Sequence, residues 1–124
     1  MPILDIEVVL RADERLDPGL AAEIADRCGE VFGSPPGNTW VKLHLVPRDH
    51  YAENGGGPSV DVYPVFASVL KARLPSPDVL RSEVARLTAA IAQATGRPEE
   101  HVHVAYSPEG AGRVAFGGEI MPAA

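Results

Sequence analysis

The sequence predicts an α/β (α+β) fold: two tandem β-α-β units whose four strands form one sheet, with both helices packed on one face. Three observations predict it. Apolar residues occupy or alternate along four short stretches and recur at helical spacing in two others. Twelve prolines and twelve glycines punctuate the breaks. The order of these stretches then runs a second time along the chain.

The first stretch, Ile3-Leu4-Asp5-Ile6-Glu7-Val8-Val9-Leu10, is rich in β-branched residues and begins with partial alternation, so it reads as a strand. A charged turn from Arg11 to Arg15 follows. Asp17 then stands where a helix N-cap belongs, with Pro18 at the first helical position. Leu20, Ile24, Cys28 and Val31 make a helical stripe that ends near Phe32, and Gly33 is its terminator. Beyond Ser34-Pro35-Pro36-Gly37-Asn38, the segment Trp40–Val46 alternates with period two. Val41, Leu43 and Leu45 take one face, and Trp40, Lys42 and His44 the other.

The second pass matches the first. Val65 to Arg73 reads as a strand, and Ser76-Pro77 is again a cap followed by proline. Leu80, Val84, Leu87 and Ile91 form the stripe, Gly96-Arg97-Pro98 is the stop, and Val102–Tyr106 is the alternating strand. Pro2 and Pro64 are 62 residues apart, as are Arg11 and Arg73; Gly33 and Gly96 are 63 apart, Val41 and Val102 61 apart. The expectation is a single domain, 1–124, made of repeats 1–62 and 63–124. Within each, a helical crossover joins parallel strands. The sheet face without helices carries apolar residues, so burial against further copies of the chain, as a trimer or hexamer, is expected.

Composition narrows the function. Apolar residues at 45% and charged residues at 23% give a folded, soluble balance. A net charge of −6 argues against a nucleic-acid partner, which needs a basic surface. The single cysteine excludes an intrachain disulfide, no apolar run reaches membrane-span length, and the start of the chain lacks a basic leader. A cytoplasmic location is expected, with no membrane partner.

The opening Met1-Pro2-Ile3, the two β-α-β units and the closing Arg113-Val114-Ala115-Phe116-Gly117-Gly118-Glu119 together resemble the tautomerase superfamily over nearly the whole chain. Ala94-Thr95-Gly96-Arg97-Pro98 through Val102-His103-Val104 is similar to the helix-loop-strand of macrophage migration inhibitory factor. The tail is closer to 4-oxalocrotonate tautomerase, whose subunit is half this length. The chain thus resembles a fused, two-repeat relative of 4-oxalocrotonate tautomerase. The resemblance implies a homotrimer and an isomerase acting on small carboxylate-bearing substrates without a cofactor.

The chemistry centres on Pro2. Trimming of Met1 turns the Pro2 nitrogen from an amide into a secondary amine. An α-amino group ionises at about 7.7–8.0, and desolvation or a nearby cation lowers that value. A neutral amine can take a proton from a carbon beside a carbonyl and return it elsewhere, a keto–enol or 1,3-proton transfer on a 2-oxo or enol acid. Pro64 holds the same place in the second repeat, but its nitrogen lies in a peptide bond to Tyr63 and is not basic.

An enolate and a substrate carboxylate call for cations or hydrogen-bond donors. The resemblance assigns such roles near Arg11 and its repeat partner Arg73, and to Lys42, with His103 at the matching place in the second repeat. In such assemblies the cations come from a neighbouring unit, which favours Arg73 for Pro2. Phe116 corresponds to an aromatic wall beside the proline, and Asn54 takes its place in the first repeat. Asn54, Tyr51 and Tyr106 could donate to a substrate oxygen; each equally reads as a turn or packing residue. Trp40 reads as a core or subunit contact. Addition of water to an unsaturated or halogenated acid is the alternative chemistry and needs a carboxylate, for which Glu53 or Glu119 are candidates. A non-catalytic trimeric binding scaffold is the other alternative.

Other chemistries lack their residues. His101 and His103 share a strand face without a third ligand at a metal-binding spacing. Gly55-Gly56-Gly57 is not followed by the Lys-Ser/Thr of a phosphate loop, and no Gly-x-Ser-x-Gly elbow occurs.

Overall fold

A computed structural model describes residues 2–123; Met1, whose removal the Pro2 chemistry requires, lies outside the described residues. The repeat is realised in space. Strand β1 (Ile3–Val9) leads through α1 (Leu20–Phe32) to β2 (Trp40–Val46). Strand β3 (Val65–Leu70) leads through α2 (Pro77–Thr95) to β4 (Val102–Tyr106). The sheet order is β2-β1-β3-β4, with β1 parallel to β2 and β3 parallel to β4. The two halves meet where β1 and β3 run antiparallel, with Ile3 opposite Leu70 and Val8 opposite Val65. A two-strand hairpin, β5 (Ala115–Phe116) and β6 (Glu119–Ile120), closes the chain.

Alternation puts Leu4, Ile6 and Val8 of β1 and Val65, Ala67 and Val69 of β3 on the helix side. There they pack in one cluster with Leu20, Ile24 and Cys28 of α1 and Leu87, Ile91 and Ala92 of α2. Both helices end on glycines in the left-handed conformation, Gly33 at φ 65° and Gly96 at φ 69°, where a side chain would be strained.

Two details depart from the sequence expectations. Asp17 does not cap α1. Its carboxylate accepts from the Gly19 N–H at 2.7 Å, a turn two residues long, and the helix starts at Leu20. The third strand stops at Leu70 rather than Arg73; beyond it the carbonyls of Lys71 and Ala72 accept from the N–H groups of Gly110 and Ala111 instead. The sheet face away from the helices carries apolar surface, as expected, together with charge. Asp5 there pairs with Lys42 at 3.2 Å and His44 at 3.4 Å, while Trp40 and Phe66 supply apolar surface.

Candidate active site at Pro2

Pro2 is buried, and its carbonyl accepts from the Trp40 N–H at 3.0 Å, which ties the start of β1 to the start of β2. It lines a cavity of about 280 Å³ together with Phe32, Gly33, Ser34, Pro35, Asn38 and Lys71. The antiparallel register brings Lys71 here, since the pair beyond Ile3 and Leu70 is Pro2 and Lys71. The Lys71 ammonium stands 5.0 Å from the centre of the Phe32 ring, a cation over an aromatic face. It also bonds the Glu83 carboxylate at 2.7 Å.

The equivalent end of the second repeat is built differently. Pro64 is fully buried, and its carbonyl accepts from the Val9 N–H at 3.1 Å. Arg97 lies along this end. It donates to the carbonyls of Tyr63 at 3.0 Å and Val9 at 2.8 Å, and grips Glu14 with both terminal nitrogens at 2.9 and 2.8 Å. Its side chain is 1% exposed. In the first repeat the residue after the helix-ending glycine is Ser34, whose short side chain only accepts from the Thr39 hydroxyl at 2.8 Å. Pro2 therefore lines a cavity, whereas Pro64 is fully buried, with Arg97 bonded to the carbonyl of the Tyr63–Pro64 peptide.

The remaining candidate residues fall in several places. Phe116 stacks edge-on against Trp40, ring centres 5.5 Å apart, on the edge of the sheet where Pro2 begins. The hairpin turn that presents it needs two left-handed glycines, Gly117 and Gly118. Arg73 is exposed beyond β3 and donates to the Ala123 carbonyl, which anchors the tail. Lys42 is exposed on the helix-free face, paired with Asp5. Arg11 pairs with Glu14 at 3.3 Å and lies 5.2 Å from the Tyr63 ring centre, at the far end of β1 from Pro2. A strand of this length spans roughly 20 Å.

Asn54 is exposed in a loop bridged from Glu53 to Gly57. That loop borders a second cavity, about 320 Å³, with Val9, Arg48 and Tyr63 at the Pro64 end. Tyr51, in the same region, donates to Glu53 at 2.7 Å, which raises its hydroxyl above the ordinary tyrosine range. Tyr106 points to the helix side and donates to Glu83 at 2.7 Å; burial first, then that bond, raises its hydroxyl as well. His103 stacks on Phe66 at 5.5 Å on the helix-free side.

Within one chain, then, Pro2 and Phe116 share an end with Lys71, while Arg11 and Asn54 lie at the other. Sequence reasoning missed Lys71, Glu83, Phe32 and the contrast of Ser34 with Arg97. Aligning Gly33-Ser34-Pro35 with Gly96-Arg97-Pro98 carried the signal for the last. Lys71 becomes visible only once the β1–β3 register is known. Among the described residues no group of three or more His, Cys, Asp or Glu is placed to hold a metal ion, and no helix is long and apolar enough to cross a membrane.

No protein-family model matches the sequence, and no curated protein matches it. Solved structures do. Pt0534, in a form inactivated by 2-oxo-3-pentynoate, superposes with a TM-score of 0.73 at 21% identity, over 96% of this chain and 94% of that one. The W0 fused 4-OT, a symmetric trimer, superposes with a TM-score of 0.77 at 11% identity, over 98% of each chain. The macrophage migration inhibitory factor of Trichinella spiralis gives 0.69 at 14% identity, over 95% of this chain and 98% of that one. The expected architecture is thereby found in known proteins: this chain shares the fold of fused 4-OT and macrophage migration inhibitory factor.

Proposed function

We propose that the chain is an isomerase that moves a proton within a small 2-oxo or enol carboxylic acid, using the Pro2 nitrogen freed by removal of Met1. The neutral amine takes a proton from the carbon beside a carbonyl and leaves an enolate. The resulting ammonium returns the proton to a different atom of the same substrate. One observation carries this reading: Pro2 lines a cavity beside the Lys71 ammonium, while Pro64, its repeat counterpart, is fully buried with its nitrogen in the peptide whose carbonyl Arg97 holds. Lys71 would meet the substrate carboxylate or the developing enolate, and the Phe32 ring would keep that corner apolar.

Assembly as a homotrimer fits the helix-free sheet face and the symmetric trimer of the W0 fused 4-OT. A neighbouring chain is how Arg11, Lys42 and Asn54, remote from Pro2 in their own chain, would reach a working site; Arg73 and Phe116 complete the set. A single free cysteine fits a cytoplasmic protein. Of the two carboxylates that addition of water could use, Glu53 is engaged by Tyr51 at the Pro64 end, so that second reading would rest on Glu119, opposite Phe116 in the closing hairpin.

The test is covalent labelling. Incubation with 2-oxo-3-pentynoate should add one molecule to Pro2 by conjugate addition of the amine to the alkyne, with no leaving group. Peptide mass mapping should place the adduct on Pro2 of a chain lacking Met1. A chain that retains Met1 and takes no label is the result expected of a non-catalytic scaffold, and it would refute the proposal.

A further inference from the structure

Glu83 faces inward from α2 and is only 8% exposed. A carboxylate removed from water must be paired and hydrogen-bonded, and both of its oxygens are engaged. Oε1 accepts from the Lys71 ammonium and Oε2 from the Tyr106 hydroxyl, each at 2.7 Å. Three elements thus converge on one side chain: the chain just past β3, the end of β4, and α2. Neither Glu83 nor Tyr106 lines the Pro2 cavity, whereas Lys71 does.

A lysine is a point charge on a flexible four-carbon stem. Left free, its ammonium would visit many positions at the cavity rim. Glu83 on one side and the Phe32 ring on another confine it. One N–H of the ammonium goes to Glu83, which leaves two donors for a ligand. The Tyr106 hydroxyl stays protonated through neutral pH, so it donates to Glu83 and fixes the carboxylate in turn.

We propose that Glu83 and Tyr106 are positioning residues that hold the Lys71 ammonium aimed into the Pro2 cavity. This rests on the reading of that cavity as the reacting site. Tyr106, a candidate for direct substrate contact from the sequence, acts here through Glu83 and Lys71.

The experiment uses full-length Tyr106→Phe, which keeps the ring and removes only the hydroxyl, together with Glu83→Gln. The first readout is proton exchange of the Lys71 ammonium by nitrogen-15 NMR on the unliganded protein. The signal should be protected in the parent protein, exchange faster in Tyr106→Phe and vanish in Glu83→Gln. The second is phenylenolpyruvate turnover, where Tyr106→Phe should raise KM several-fold with kcat little changed. Unchanged ammonium exchange, or an unchanged KM, in Tyr106→Phe overturns the proposal even if Glu83→Gln fails to fold. A parent protein that turns over nothing refutes the isomerase reading instead, and the ammonium exchange then decides the positioning alone.

Discussion

Arg97 stands in the second repeat where Ser34 stands in the first, each directly after the glycine that ends its helix. The long side chain reaches the carbonyls of Tyr63 and Val9 and ties the start of β3 to the end of β1. The short one leaves the cavity beside Pro2. A duplicated unit has thereby become asymmetric: the proline whose nitrogen is locked in a peptide is fully buried, and the one whose nitrogen can be freed lines a cavity.

Ser34→Arg should put a long side chain into the cavity beside Pro2, which Ser34 lines. Phenylenolpyruvate turnover is expected to fall at least about tenfold, the effect of misplacing or excluding the reactant, with the circular dichroism spectrum unchanged. Full activity in a folded Ser34→Arg protein would show that the cavity is not the route to Pro2.

The Arg97–Glu14 pair makes a stability prediction with a sign. Hydrogen bonds from Arg97 hold the Glu14 carboxyl at about 2, well below its ordinary 4.5, against the opposing effect of burial. Its contribution is therefore complete above the unfolded value, declines as the pH falls through the interval between the two, and is gone below the folded one. Glu14→Gln leaves Arg97 buried without its counter-charge and should cost about 3 kcal/mol at neutral pH. Denaturant melts of both proteins at several pH values should show the gap narrowing on acidification.

Cys28 lies in the core with no exposed surface, and burial pushes its thiol up to about 12. The thiolate is the reactive form. Iodoacetamide at pH 8 should leave the folded protein unlabelled and modify it fully in denaturant. Fast labelling of the folded chain would contradict the packing of α1 on the sheet.

Trp40 is the sole tryptophan and is stacked by Phe116, so its fluorescence reports on the closing hairpin. Phe116→Ala should shift the emission to longer wavelength as the indole gains water, at a cost of about 1 kcal/mol for the aromatic pair. An unshifted spectrum would mean that the hairpin does not rest on Trp40 in solution.

Much of the fold was legible because it is written locally. Period-two and helical spacings, and the glycines at 33 and 96, mark four strands and two helix ends wherever the chain later goes. The start of α1 was misread because Asp17 can bond two residues ahead as readily as it can cap, and Gly19 permits the turn. The site was less legible because it is assembled across the antiparallel seam. Nothing near Lys71 in sequence announces that it lies beside Pro2, some 69 residues earlier, and Glu83 reads as one more charge on a helix until α2 is turned against the sheet. Arg97 was read only as part of a stop signal, because its partner Glu14 lies in the other repeat.

The central claim is that the Pro2 amine does the chemistry, and the most direct test compares Met1-free protein with its Pro2→Ala variant in the ketonisation of phenylenolpyruvate. Loss of a positioned general base predicts a fall of about 100-fold or more in kcat/KM for the variant. Equal rates from the two proteins would contradict the account.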